Sequence, residues 1–250
     1  MGELRLLPCE PSDAAEILAG QFAAFSTPSE PFFFVLFPET EERERAVKRT
    51  LDWWLQDESA KYMKVVDVET GEIVSAAKWC IYDNPLTEEQ MLERIHVDWH
   101  VDADTNEWAE HLIQWIHQNR LKRTKGQRCC VIWSHLLSWI SGHFLSKEGT
   151  IHEYTTDPHS VLDMMTTHPK HQYRGAGSML VKWGTDIADS MGVESFIEGT
   201  IVARRLYEKN GFVVTPDDWL QVPVPDKWKS RPEIKFFFYE RSPKEQLVKG

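Results

Sequence analysis

The stretch from Val161 to Leu180 constrains the fold more than any other part of the chain. It reads as a β-rich run, Val161–His168, stopped by Pro169. A basic loop follows with Lys170, His171 and Arg174, and then Gly175-Ala176-Gly177 opens a helix. Proline lacks the N–H that a strand ladder needs, and glycine reaches backbone angles closed to other residues, so strand, tight turn and helix follow in that order. The turn leaves N–H groups at the helix start without an intrahelical acceptor, at the positive end of the helix dipole. That is the physical basis of phosphate binding. Two glycines ahead of a helix also suffice for a plain turn. Two other nucleotide loops fail: a G-x-G-x-x-G fingerprint needs glycine where Leu180 stands, and a P-loop needs Gly-Lys followed by Ser or Thr.

Around this stretch, strand and helix patterns alternate. Residues 3–7 read as a strand, and Ser12-Asp13 caps a helix with Ala14, Ile17, Leu18, Phe22 and Phe25 at helical spacing. An aromatic run, Phe32–Phe37, sits between Pro31 and Pro38. Thr40 is expected to cap a second helix reaching about Asp57, with Val47, Leu51, Trp54 and Leu55 buried. Tyr62–Val68 and Ile73–Tyr82 form a hairpin about Thr70-Gly71. A short helix starts at Thr87, and Asn106–Leu121 is a longer one with Trp108, Leu112, Trp115 and Ile116 on one face. Downstream, the pattern predicts a helix over Gly177–Met191, packed through Met179, Leu180, Trp183, Ile187 and Met191. Then come a strand over Ser195–Thr200, a helix over Ala203–Asn210, and strands over Phe212–Thr215 and Ile234–Arg241. The alternation indicates an α/β sheet with parallel pairing. With neither repeat nor low-complexity linker, one domain spanning 1–250 is expected: an N-terminal half (1–126), an atypical insertion (about 127–157), a core (161–215) and a C-terminal strand region (216–250).

Bulk properties exclude several roles. With a formal net charge of −11, the chain has no overall attraction for nucleic acid or anionic membranes. The most apolar stretch, Cys129–Leu145, is interrupted by His135, Ser138, Ser141, Gly142 and His143 and is short of a span, so a buried or interfacial helix is expected there. The four cysteines form no disulfide framework or metal-ligand spacing, and no metal is expected. The N-terminus shows no signal-peptide pattern, so the expected compartment is the cytoplasm or the nucleus.

Gln172-Tyr173-Arg174-Gly175-Ala176-Gly177 resembles the pyrophosphate signature Q/R-x-x-G-x-G/A of the GNAT acetyltransferase family. A second hallmark, A-x-x-L-Y-x-x-x-G-F, is matched by Ala203, Leu206, Tyr207, Gly211 and Phe212. The two lie in order within about 55 residues, Val161–Thr215. Leu162-Asp163, with Thr167-His168-Pro169, is similar to a group of fungal members. The resemblance implies a mixed, largely antiparallel sheet flanked by helices, with one parallel strand pair that splays apart. It implies acetyl-CoA as cofactor, pantetheine along Met164, Met165 and Thr166, and pyrophosphate on Gln172, Tyr173, Arg174, Gly175, Ala176, Gly177 and Ser178. Tyr207 becomes the general acid toward the leaving thiolate. Thr200 stands where many members place a pantetheine-contacting asparagine, and a hydroxyl replaces only one of the amide's hydrogen bonds.

A base must take a proton from the acceptor amine. Glu198 and Asp163, one in each splayed strand, are the candidates, with His168 at the end of the first strand; each also has a structural reading as a paired or capping group. The acceptor is expected to be a small-molecule amine, given 11 tryptophans. A protein or histone substrate, or a non-catalytic acetyl-CoA-binding module, are the alternatives; the sequence leaves oligomeric state open. The insertion reads either as a lid over substrate or as translated sequence extraneous to the fold.

Overall fold

A computed structural model of the chain describes residues 2–82, 96–123, 159–214 and 219–244. The short helix expected at Thr87 and the insertion at 127–157 lie outside the described residues. The elements are β1 (Leu4–Pro8), α1 (Ala14–Phe25), α2 (Pro31–Leu36), α3 (Arg43–Gln56), β2 (Ala60–Asp67), β3 (Ile73–Tyr82), α4 (Ala103–Arg123), β4 (His159–Thr167), α5 (Ala176–Met191), β5 (Ser195–Gly199), α6 (Arg204–Lys209), β6 (Trp219–Gln221) and β7 (Lys235–Arg241). Seven strands form one sheet in the order β1-β2-β3-β4-β5-β7-β6. Every pairing is antiparallel except β4 with β5, which is parallel.

Successive strand residues face opposite sides of a sheet, so each strand feeds two cores. On one side Val65, Ala77, Trp79, Ile197 and Tyr239 pack with Leu180 and Val181 of α5 and with Tyr207 of α6. On the other, Cys80, Phe196, Phe236 and Phe238 pack with Trp108, Leu112 and Ile116 of α4. A third cluster joins α1, α2 and α3 through Leu18, Phe33, Leu36, Phe37 and Ala46. The sheet therefore has an α5–α6 side and an α1–α4 side.

Several expected faces shift for identifiable reasons. The stripe α5 buries is Ala176, Gly177, Leu180, Val181, Gly184, Thr185 and Ala188; Leu180 is buried as expected, while Met179 and Trp183 pack on the core only partly buried. The Trp79 indole packs against that stripe: it donates to the Leu180 carbonyl at 3.1 Å, and a Cβ on Gly184 would stand 2.1 Å from its ring. In α3 the buried residues are Ala46 and Thr50, and Leu55 is 69% exposed, contrary to the expected face. The helix starts at Arg43 and not at Thr40, because a turn follows Pro38, with the Glu41 N–H donating to its carbonyl at 3.1 Å. Val213 makes only an isolated bridge to Glu240 where a strand was expected, since Gly211 turns the chain at φ 90° and Phe212 drops into the core. The β6 edge strand lies outside the sequence expectation.

The aromatic run is the helix α2. A six-residue helix is too short to hold itself. Its terminal carbonyls are taken by tertiary donors: the Val35 oxygen accepts from Trp99 Nε1 (3.0 Å) and His100 Nε2 (2.7 Å), and the Leu36 oxygen accepts from Arg49 (3.0 Å). Desolvation leads the causes that lower the His100 pKa, and because a carbonyl can only accept, the Nε2 facing Val35 carries a proton.

Candidate functional site

One extra residue opens the sheet. Lys78 of β3 pairs with Met164 while Trp79 pairs with Leu162, so Asp163 is a bulge in β4. A bulge bends its strand and ends regular pairing. The parallel ladder to β5 runs through Ser160↔Ser195, Val161↔Phe196 and Leu162↔Ile197 and stops there, one residue before the bulge. β4 stays with β3 as far as Thr167, and β5 stays with β7 as far as Gly199. The two strands diverge. Among the described residues, Met164–Thr167 have no strand neighbour on the β5 side, so backbone groups along that edge face the gap.

The gap is a cleft reached from both sides of the sheet. Met165, Ile197, Gly199 and Tyr207 line it from the α5–α6 side, and Met164, Phe33, Ile116 and Phe236 from the α1–α4 side. Glu198 also lines it and, by alternation with Ile197, belongs to the α1–α4 side.

Tyr207 is 5% exposed, with its ring edge-on to Phe212 and Tyr239 at centroid distances of 6.2 and 5.0 Å. Gly199 is what makes room for it: a Cβ there would stand 2.7 Å from the Tyr207 ring. Burial first, and the neighbouring Tyr239 second, push the Tyr207 phenol well above the ordinary tyrosine range. The phenol is therefore neutral at any physiological pH. Tyr239, whose hydroxyl donates to the Thr200 carbonyl at 3.3 Å, is pushed up to about 12, burial again being the first cause.

The glycine loop follows β4 by one turn, Pro169–His171. Tyr173 (φ 62°) and Gly175 (φ 95°) both adopt left-handed backbone, and the Tyr173 side chain is fully exposed. Alternating hand in successive residues turns N–H groups toward a common concavity, the arrangement known to hold anions. Gly175 precedes α5, with open space where its Cβ would be. Arg174 turns away from that concavity. Its guanidinium donates to Asp67 Oδ2 at 2.6 Å and to the Gly2 carbonyl at 3.2 Å, and both members of the ion pair are largely buried. The Arg174 side chain thus anchors the loop to the end of β2.

Glu30 enters the cleft from the α1–α2 turn, a position the sequence reading passed over. Its carboxylate accepts from the Phe32 N–H at 3.5 Å, which fixes it at the N-terminus of α2. Burial raises its pKa, a backbone hydrogen bond from Phe32 partly opposing. The one available signal was an acidic residue just before Pro31, a helix-start pattern that does not show which way the carboxylate faces. Of the other sequence candidates, Met164, Met165, Thr200 and Glu198 line the cleft with Tyr207. Thr166 is buried beside it, its carbonyl accepting from Ser75 Oγ at 2.6 Å. Asp163 marks the bulge, and its side chain lies outside the described residues. His168 accepts from the Lys170 N–H at 3.3 Å and caps the loop. Among the described residues, no cluster could hold a metal ion and no helix is long and apolar enough to cross a membrane.

A sequence profile of the acetyltransferase (GNAT) family matches residues 89–212, spanning β4, the glycine loop and Tyr207. The chain belongs to the GNAT acetyltransferase family. It is an acyltransferase-type enzyme, in a family that generally uses acetyl-CoA. Solved structures share the fold. Arylalkylamine N-acetyltransferase 2 from Aedes aegypti is 13% identical with a TM-score of 0.55, covering 97% of this chain and 100% of that one. An agmatine N-acetyltransferase is 11% identical with a TM-score of 0.57, covering 96% and 99%. A histone acetyltransferase and related acetyltransferase from Corynebacterium glutamicum is 18% identical with a TM-score of 0.51, covering 99% and 100%. No curated protein matches the chain.

Proposed function

We propose that this GNAT protein is an acetyl-CoA-dependent N-acetyltransferase that transfers acetyl directly to a small amine. The observation that carries the reading is the divergence of β4 and β5 at the Asp163 bulge, with the glycine loop at one end and a neutral buried tyrosine inside.

The residues present fit the cofactor. Gln172, Tyr173, Arg174, Gly175, Ala176, Gly177 and Ser178 would hold the pyrophosphate through backbone N–H groups, and the free edge at Met164, Met165 and Thr166 would hold the pantetheine amides, with Thr200 opposite. When bound, acetyl-CoA supplies an activated thioester. Tyr207 stays protonated at working pH, as its raised pKa ensures, and would pass that proton to the departing sulfur. On the opposite side of the sheet, Glu30 takes the proton from the incoming ammonium. Its raised pKa is better matched to a neutral working pH than an exposed carboxylate's. Glu198, across the cleft, holds the ammonium in place, and Asp163 acts by bending the strand.

The test is release of free thiol from acetyl-CoA by purified protein across a panel of amines. Amine-dependent release supports the reading; acetyl-CoA binding without release for any amine or peptide substrate overturns it.

A further inference from the structure

The α1–α4 side of the cleft carries both an apolar wall and two carboxylates. Among the described residues, the most buried that line this side are Phe33 (2% exposed), Leu36 (1%), Ile116 (1%) and Phe236 (7%), none with a polar side chain. A second charge on a substrate would end among them without a partner, and burying an unpaired charge is among the costliest events in a protein.

The wall is also fixed. Phe33 stacks on Phe25 at 4.7 Å with 28° between planes, meets Phe22 edge-on at 5.0 Å and lies 5.2 Å from Phe37. Behind it Arg49 is held by Glu41 at 2.5 Å and donates to the Leu36 carbonyl, with its guanidinium 4.3–5.0 Å from the rings of Phe37, Trp53 and Trp99. Moving Phe33 or Leu36 aside would disturb all of these together, so the slot is formed before substrate arrives.

Two carboxylates share that side with the apolar wall. Glu30 and Glu198 line the polar part of the cleft, which suits a single ammonium. Lys235 is there too, but Glu233 forms an ion pair with it, which offsets its pull on a substrate carboxylate.

Resting on the acetyltransferase reading, we infer that the acceptor is a primary amine with one positive charge and an uncharged, ring-sized apolar body, which excludes polyamines, guanidinium-bearing amines and amino acids. The ammonium lies between Glu30 and Glu198, and the ring fills the slot against Phe33 and Phe236.

Steady-state kinetics with 2-phenylethylamine, agmatine, spermidine and phenylalanine test this on the full chain, with acetyl-CoA affinity measured separately by calorimetry. The expected kcat/KM for 2-phenylethylamine exceeds the others by about 100-fold or more, the scale set by an unpaired buried charge. Phe32→Asp, which puts a carboxylate beside the apolar wall, should narrow the ratio to agmatine at least tenfold while leaving acetyl-CoA affinity unchanged. Equal or better rates with agmatine, spermidine or phenylalanine would overturn the inference while the acetyltransferase reading stands. Failure to bind acetyl-CoA would overturn both.

Discussion

Gly199 and Tyr207 are a matched pair: the tyrosine ring occupies the space where any side chain on residue 199 would begin, 2.7 Å from a Cβ built there. The same Cβ would lie 3.2 Å from Tyr239, so neither ring can yield without moving the other. Gly199→Ala should therefore displace Tyr207 in a protein that still folds. The expected outcome is a stability loss of about 1–3 kcal/mol in denaturant melts, the usual cost of overpacking. A fall in kcat of about 10-fold or more should accompany it, as for any displaced general acid. Wild-type kcat in a destabilised Gly199→Ala protein would show that the ring position does not matter for transfer.

Removing only the Tyr207 hydroxyl separates packing from chemistry. Tyr207→Phe should keep acetyl-CoA affinity and slow turnover by about 10–1,000-fold, the range for loss of a proton donor. With its phenol held above the ordinary range, the wild-type enzyme should also show no loss of kcat from Tyr207 ionisation up to pH 10. A variant as fast as the wild type would reduce Tyr207 to a core aromatic.

Glu30 predicts the acid side of the pH profile. Burial disfavours its charged form, so its proton leaves at higher pH than from an exposed glutamate, and only the ionised form accepts a proton from the amine. The acid limb of kcat/KM should therefore lie above the ordinary glutamate value of about 4.3. Glu30→Gln should abolish that limb and lower kcat/KM by about 100-fold or more. A limb that survives the substitution assigns it to another group, Glu198 first.

The Asp67–Arg174 pair that ties down the loop is pH-sensitive in the opposite sense. The Arg174 hydrogen bond first, and the Glu69 N–H second, hold the Asp67 carboxyl below the usual range. A carboxyl with a lowered folded-state pKa stabilises the fold above its unfolded value of about 3.9, and loses that contribution as pH falls through the folded value. The difference in melting temperature between wild type and Asp67→Asn should be constant near neutrality and shrink below pH 4. A difference that grows on acidification would contradict the pairing.

Much of this architecture was legible from sequence where the signal is local. β4, the glycine loop, α5 and the hairpin of β2 and β3 follow from Pro169, Gly175 and Gly71, residues whose backbone constraints act at their own positions. The glycine in the buried face of α5 was not legible, because Gly184 lies against Trp79, about a hundred residues earlier. Nor was α2, whose phenylalanine-rich run forms a helix because Trp99, His100 and Arg49 satisfy its last carbonyls. Tyr207, which lines the cleft, was singled out because a local motif surrounds it. Glu30 was passed over because its place in the cleft depends on the turn between α1 and α2 facing a cleft made elsewhere.

Titration of acetyl-CoA into the protein by calorimetry tests the central claim most directly, with Gly175→Asp and Gly175→Ala alongside. Gly175 sits at φ 95°, so both variants carry backbone strain, aspartate no more than alanine, and only aspartate puts a negative charge where the phosphates would lie. The account predicts saturable one-to-one binding to the wild type, weakened at least tenfold more in Gly175→Asp than in Gly175→Ala, with melting temperatures of the two variants alike. Equal affinity in the aspartate and alanine proteins, or no binding to the wild type, would contradict it.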